Sequence, residues 1–336
     1  MTKQPKGNFG KVSLAGAAIL MAVALAAMIS VPGRTSAGTL NTSIIGMFPK
    51  SVGEFAYADL KAARKLTWFP QVREQMLPSR FRDFEKFLTS AGIDPNTQVE
   101  EMAWGGISVG KGGEEVVGVA LGNFDPNSTE ARFKSQKMPM TDIRGYHVFT
   151  FGSGTGANDI QFFFIDSNTA AFGHRSALEK LIGVRFGDSE SLLTNDTLFP
   201  LINEANGGGV IWAVLDKNYT HLAMTQLVPQ VNQFPQAAAI VERLHAMTIN
   251  IDADSGVDAK LQAVCDSPDD ANLLAAGLQA GLMYRRYQEA STNPDLARVL
   301  DSVHVSPTGD RLKIEVPVSE DQLTALIKSR VFAVPM

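Results

Sequence analysis

The stretch "VVGVALGNFDPNSTEARF", residues 116–133, runs as apolar, strand-like sequence to Asp125, turns, and opens a helix. The stretch "VDAKLQAVCDSPDDANLLAAGL", residues 257–278, does much the same and reaches Asp266 before its helix. Working outward from these two corners, the flanking elements repeat as well. In the first half, "EFAYADL" (54–60) reads as a strand, and 68–77 and 79–93 as helical stretches broken at Pro78. Strands at 100–110 and 114–124 meet at "KGG", and a helix runs from Pro126 to about Lys134. Strands at 146–154 and 159–173 and a short helix at 176–183 complete the unit. The second half repeats the order: a strand at 209–216, helices at 220–228 and 235–247 around Pro229 and Pro235, and strands at 247–253 and 257–266 joined by "DSG". A helix at 267–286, a hairpin of 301–307 with 310–319, and a helix at 320–330 then follow.

Each half is therefore strand, broken helix, two strands, helix, two strands, helix. This order predicts an α+β protein of two similar units, with mainly antiparallel sheets and helices on one face. The first unit spans 38–184 and the second 209–336. Between them, 185–208 is a linker with a short helix starting near Ser191 or Asn195.

The succession "FAYADL", "FDPNSTEARF", "AAFGHRSALEKLI", "SLLTNDTLFPLI", "IWAVLD", "LQAVCDSPDDANLLAAGL" and "LKIEVPVSEDQLTALI" resembles a group of uncharacterised bacterial cell-envelope proteins. These share a signal or anchor segment and a duplicated α+β body, and the resemblance covers roughly residues 44–330. It implies a fold and a compartment. The group has no agreed activity, so no active site is carried over.

Net charge is −5, and residues 1–37 carry Lys3, Lys6, Lys11 and Arg34 with no acid, so the remainder carries −9. An acidic body lacks the clustered Lys and Arg that nucleic acid requires, and nucleic acid is not an expected partner. "SLAGAAILMAVALAAMISV", 13–31, is uncharged and follows the lysines, which predicts membrane insertion with an exported body. Its length favours a retained single-pass anchor. Its alanines, with the small residues Thr35-Ser36-Ala37, favour a signal peptide cut after Ala37. Both alternatives stand, and both place the body outside the cytoplasm, periplasmic or on the outer side of the inner membrane. Cys265 is the single cysteine, which excludes an intrachain disulfide, and its alternation with Asp258, Lys260 and Gln262 places it on the apolar side of a strand.

No motif commits the chain to catalysis, a metal or a cofactor. The glycine clusters "GKGGEE", "GSGTG" and "NGGGVIW" do not lead from a strand into a helix, as a phosphate cradle must. The five histidines lack metal-ligand spacing, and no serine sits in a nucleophile elbow. Two constellations remain as candidates. Asp142 and Arg144 in "DIRGYH", with His174 and Arg175 at a strand-to-helix step, form a candidate polar or anion site. Phe81, Phe84 and Phe87, at helical spacing, together with Phe162 and Phe164 of "IQFFFI", form a candidate apolar face for a ligand or partner.

The function these readings favour is a non-enzymatic scaffold or assembly subunit of the cell envelope. Its expected partners are the membrane, through 13–31, and other envelope proteins. The alternatives are a carrier of lipid or another apolar ligand and, less favoured, a hydrolase with a dispersed site.

Overall fold

The computed structural model describes residues 38–66, 79–90, 92–110, 113–153, 156, 159–227, 241–253 and 257–328. Twelve strands among them form one antiparallel sheet. They are β1 (Glu54–Asp59), β2 (Val99–Ser108), β3 (Glu114–Gly122), β4 (Met140–Ile143), β5 (Tyr146–Phe151), β6 (Ile160–Phe164), β7 (Thr169–Gly173), β8 (Ile211–Leu215), β9 (Leu244–Asp252), β10 (Val257–Cys265), β11 (His304–Thr308) and β12 (Arg311–Val318). The main helices are α1 (Ser79–Ser90), α2 (Pro126–Ser135), α3 (Arg175–Arg185), α4 (Leu198–Ala205), α5 (Lys217–Leu227), α6 (Pro268–Glu289), α7 (Pro294–Ser302) and α8 (Glu320–Lys328).

The strand order is β11-β12-β10-β9-β8-β1-β2-β3-β7-β6-β5-β4. Outward from the middle, one arm runs β1-β2-β3-β7-β6 and the other β8-β9-β10-β12-β11, which is the same path taken twice. The β4–β5 hairpin extends the first arm alone. Pairing of β1 with β8 joins the arms into a continuous sheet.

Each repeated corner has a local cause. Asp125 accepts from Ser128 N–H at 3.1 Å, with Pro126 in the first turn of α2. Ser267 accepts from Asp270 N–H at 3.2 Å, with Pro268 in the first turn of α6. A side-chain cap satisfies an N–H that the helix leaves free, and proline costs nothing there because its missing donor has no helical partner.

The helices, expected on one face, cover both faces of the first arm. Register places Ala56, Ala120, Phe149, Phe162 and Phe164 on one side, and Phe55, Tyr57, Val117, Val119 and Phe163 on the other. Phe84 of α1 and Phe133 of α2 join the first set. Leu178, Leu181 and Ile182 of α3, Leu198 and Ile202 of α4, and Ile45 and Phe48 join the second. Strands with apolar residues at both parities need cover on both sides. In the second arm, α5, α6, α7 and α8 cover one side. The outer strands there turn Lys260, Lys313, Glu315, His304 and Ser306 outward, exposed.

Other boundaries also shift. The run 159–173 is two strands, because Asp166-Ser167-Asn168 makes a turn in which Asn168 N–H donates to Asp166 at 2.8 Å. Residues 140–143 pair with β5 as β4, through a tight turn with Arg144 and Gly145 at φ 53° and 85°. Two consecutive left-handed residues match the twist of a two-residue hairpin. Leu244–Met247, read as a helix end, begin β9 instead, alternating buried and exposed at Leu244, His245 and Ala246. Helix α7, capped by Asn293, lies within a stretch that the sequence reading left without a helix. In the stretch linking the arms, Ser191 opens a 3-10 turn and Asn195 accepts from Leu198 N–H at 2.9 Å at the start of α4. The helical stretch 68–77 and the apolar segment 13–31 lie outside the described residues.

Candidate functional site

Each of the four polar candidates is engaged in a local contact of its own. His174 is buried at the start of α3, and its Nδ1 accepts the N–H of Val116 at 2.8 Å, tying the end of β7 to β3. Arg175 points to solvent and pairs with Glu179 at 3.0 Å, one helical turn on. Asp142 accepts from Gly145 N–H at 3.1 Å within the β4–β5 turn. Arg144 pairs with Asp188, and its guanidinium lies 4.9 Å from the centre of the Phe186 ring. Of the four, Arg144 borders a depression of about 420 Å³, whose lining also includes Ser176, Glu179, Lys180 and Asp188. Its lining mixes both charge signs, so no net field selects an anion.

Phe84, Phe87, Phe162 and Phe164 of the aromatic candidates form core. Phe84 lies 5.4 Å from Phe151 and 6.1 Å from Phe162, ring centre to ring centre. Phe87 stacks on Phe133 at 5.6 Å, and Phe162 meets Phe164 edge-on at 6.3 Å. The i, i+3 spacing of Phe84 and Phe87 marks the face of α1 turned to the sheet, and these rings occupy the space between the two layers. The side chain of Phe81 lies outside the described residues.

A different cluster, which motif reading passed over, sits where the two arms meet. Glu54 opens β1, between Gly106 of β2 and Leu215 of β8, and is 1% exposed. Asp216 follows β8, donates its N–H to Gly53 O at 2.7 Å, and caps α5 by accepting from Tyr219 N–H at 2.9 Å. Glu114 opens β3 opposite Ser108. Gly53, just before β1, and Gly106, in β2, leave room for these groups. A Cβ on Gly106 would stand 2.9 Å from both Glu114 Oε1 and Tyr219 OH, and one on Gly53 2.5 Å from Asp216 Oδ2.

Burial raises the pKa of Glu54 well above the usual carboxylate range, and the charges of Glu114 and Asp216 push it further up. Burial also raises Asp216 and Tyr219. Glu54 Oε2 is buried and has no hydrogen-bond partner among the described residues. Removing a lone carboxylate from water is costly, which favours the neutral form of Glu54 over the charged one. Among the described residues, no group of three or more His, Cys, Asp or Glu is arranged to hold a metal ion. The sequence did carry a signal for this site: Glu54 shares the parity of Ala56 and Ala58 in an otherwise apolar strand, so it had to point inward.

Fold and site together define an α+β protein built on one antiparallel sheet of two like arms. No family model matches the chain, and no curated protein matches it. Among solved structures, it is similar to one titled "Structure of crystal form I of TP0453", with 14% sequence identity and a TM-score of 0.48. That match covers 88% of this chain and 99% of the other.

Proposed function

We propose that the protein is an exported, membrane-anchored or peripheral component of the cell envelope, acting as a non-enzymatic scaffold or assembly subunit. The observation that carries this reading is the uncharged segment 13–31 behind three lysines, followed by an acidic body. Among the described residues no helix is long and apolar enough to cross a membrane, so membrane attachment in this reading rests on 13–31, outside them. The scaffold reading draws support from the separate structural engagements of His174, Arg175 and Asp142, each of which holds a backbone group or a neighbouring side chain. The exposed polar side of β10–β12 offers a broad surface for contact.

A reporter that is active only outside the cytoplasm, fused after Met336, tests the compartment. Activity that disappears when 13–31 is replaced by a polar sequence supports the reading. Activity of a cytoplasm-only reporter at the same position overturns it.

A further inference from the structure

Helix α6 packs on β10–β12 through Ala271, Leu274 and Ala275, with Leu278 packed against the same core. Its other side carries a second apolar seam that no described residue covers. Leu273, Met283, Tyr284 and Tyr287 are 54%, 67%, 65% and 82% exposed, and Ala276 and Ala280 between them are exposed as well. A Cβ added at Gly277 would meet no atom within 4 Å. The residues Leu273, Ala276, Ala280, Met283 and Tyr287 follow in steps of three, four, three and four. That alternation is the seam of a helix receiving another helix, narrower than the stripe a helix turns toward a globular core.

We propose that α6 pairs antiparallel with α6 of a second copy of this chain, about a two-fold axis that passes between Ala276 and Ala280. The seam is complementary to itself in this arrangement. Leu273 faces the second copy's Met283, and Ala276 faces its Ala280. Two small residues at the centre let the helices approach closely, and the larger pairs close the ends. The same register brings Tyr287 to the second copy's exposed Asp269. From Ala271 to Tyr284 the helix carries no charge; at its start Asp270 pairs with Arg243 and Asp269 is exposed, and at its end Arg285 pairs with Glu289 and Arg286 with Asp301. Antiparallel pairing keeps the exposed Asp269 of each copy apart from that of the other, and parallel pairing in register would set the two together.

The area fits as well. With Tyr284 and Tyr287 at 65% and 82% exposure, the two rings alone leave on the order of 300 Å² uncovered on each copy. Adding Leu273 and Met283 and doubling across the axis gives about 1,000 Å², the size at which a specific interface becomes credible.

Sedimentation velocity of the full chain in mild detergent, over a dilution series, tests the proposal. A reversible dimer is expected. Leu273→Lys and Met283→Glu each raise its dissociation constant by about tenfold or more, because each puts a charge against an apolar residue of the other copy. The double variant Leu273→Lys/Met283→Glu restores dimerisation, since Lys of each copy then faces Glu of the other. The two positions lie about 15 Å apart along one helix, too far to compensate each other within a chain. Both sites are exposed, and circular dichroism verifies that each variant keeps its fold. A monomer at every concentration overturns the proposal and leaves the seam to a foreign helix or a lipid surface. A dimer indifferent to the single changes, or one the double change does not restore, overturns it equally.

Discussion

Ala56 stands directly opposite Ala213 at the midpoint of the β1–β8 pair, and both arms of the sheet are laid out from that point in the same strand order. The joint is buried on both sides: Ala56 and Ala213 lie in one core, and Phe55, Tyr57, Trp212 and Val214 in the other. The two halves therefore share one hydrogen-bonded ladder, and Glu54 lies at its end.

Replacing Glu54 tests the charge cluster. Its pKa in the folded protein is raised above the ordinary value of 4.5, so the folded state retains a proton that the unfolded state releases. Stability from this group is then complete below about pH 4.5 and falls as pH rises toward the folded pKa, by about 1.4 kcal/mol per pH unit for one proton. Glu54→Gln, which has no proton to lose, is expected to flatten that slope and to be the more stable protein at pH 8. Urea titrations from pH 5 to pH 8 measure it. Equal slopes for both proteins would rule out a buried neutral Glu54.

His174 is expected to behave as a clasp. His174→Ala leaves the Val116 N–H without its acceptor and costs about 1–3 kcal/mol, while His174→Asn supplies an oxygen and recovers part of the loss. Denaturant midpoints at unchanged m decide between this and a surface role, which predicts no change for either variant.

Gly173, just before the clasp, has φ +149°, and a Cβ there would run into the carbonyl oxygen of Val116. Gly173→Ala is therefore expected to destabilise at least as much as His174→Ala. Arg144→Ala, which loses one exposed pair with Asp188, should cost no more than about 1 kcal/mol. Thermal melts of the two variants side by side supply the ranking.

Phe133 is fully buried and meets the rings of Phe87, Phe149 and Phe162. Phe133→Ala is expected to cost about 3–5 kcal/mol. A loss below 1 kcal/mol would mean that these rings are a surface patch and would revive the ligand-face reading.

Cys265 is buried, and burial, helped by the charge of Asp270, pushes its thiol up to about 11. Little thiolate exists at pH 8, so an aromatic disulfide reagent should react with the native protein only as fast as it unfolds. Fast native labelling would contradict the buried strand position.

Much of this protein was decided by local sequence. The alternation in 257–265 put Cys265 inside, Pro126 and Pro268 marked where helices begin, and the repeated order of elements was visible without coordinates. These features depend on neighbours a few residues apart, so the chain itself encodes them. The tertiary structure alone decided which strands pair at the joint and that helices cover both faces of the first arm. It gave Asp142, Arg144, His174 and Arg175 their individual local partners, and it brought Glu54, Glu114 and Asp216 together from positions far apart in the chain. The physical reason is that a carboxylate's neighbours across a sheet depend on register, and register follows from burying both faces at once. The outer seam of α6 shows the same division. Its spacing is written in residues 273–287, but only the packing of the opposite side against the sheet reveals that the seam faces outward.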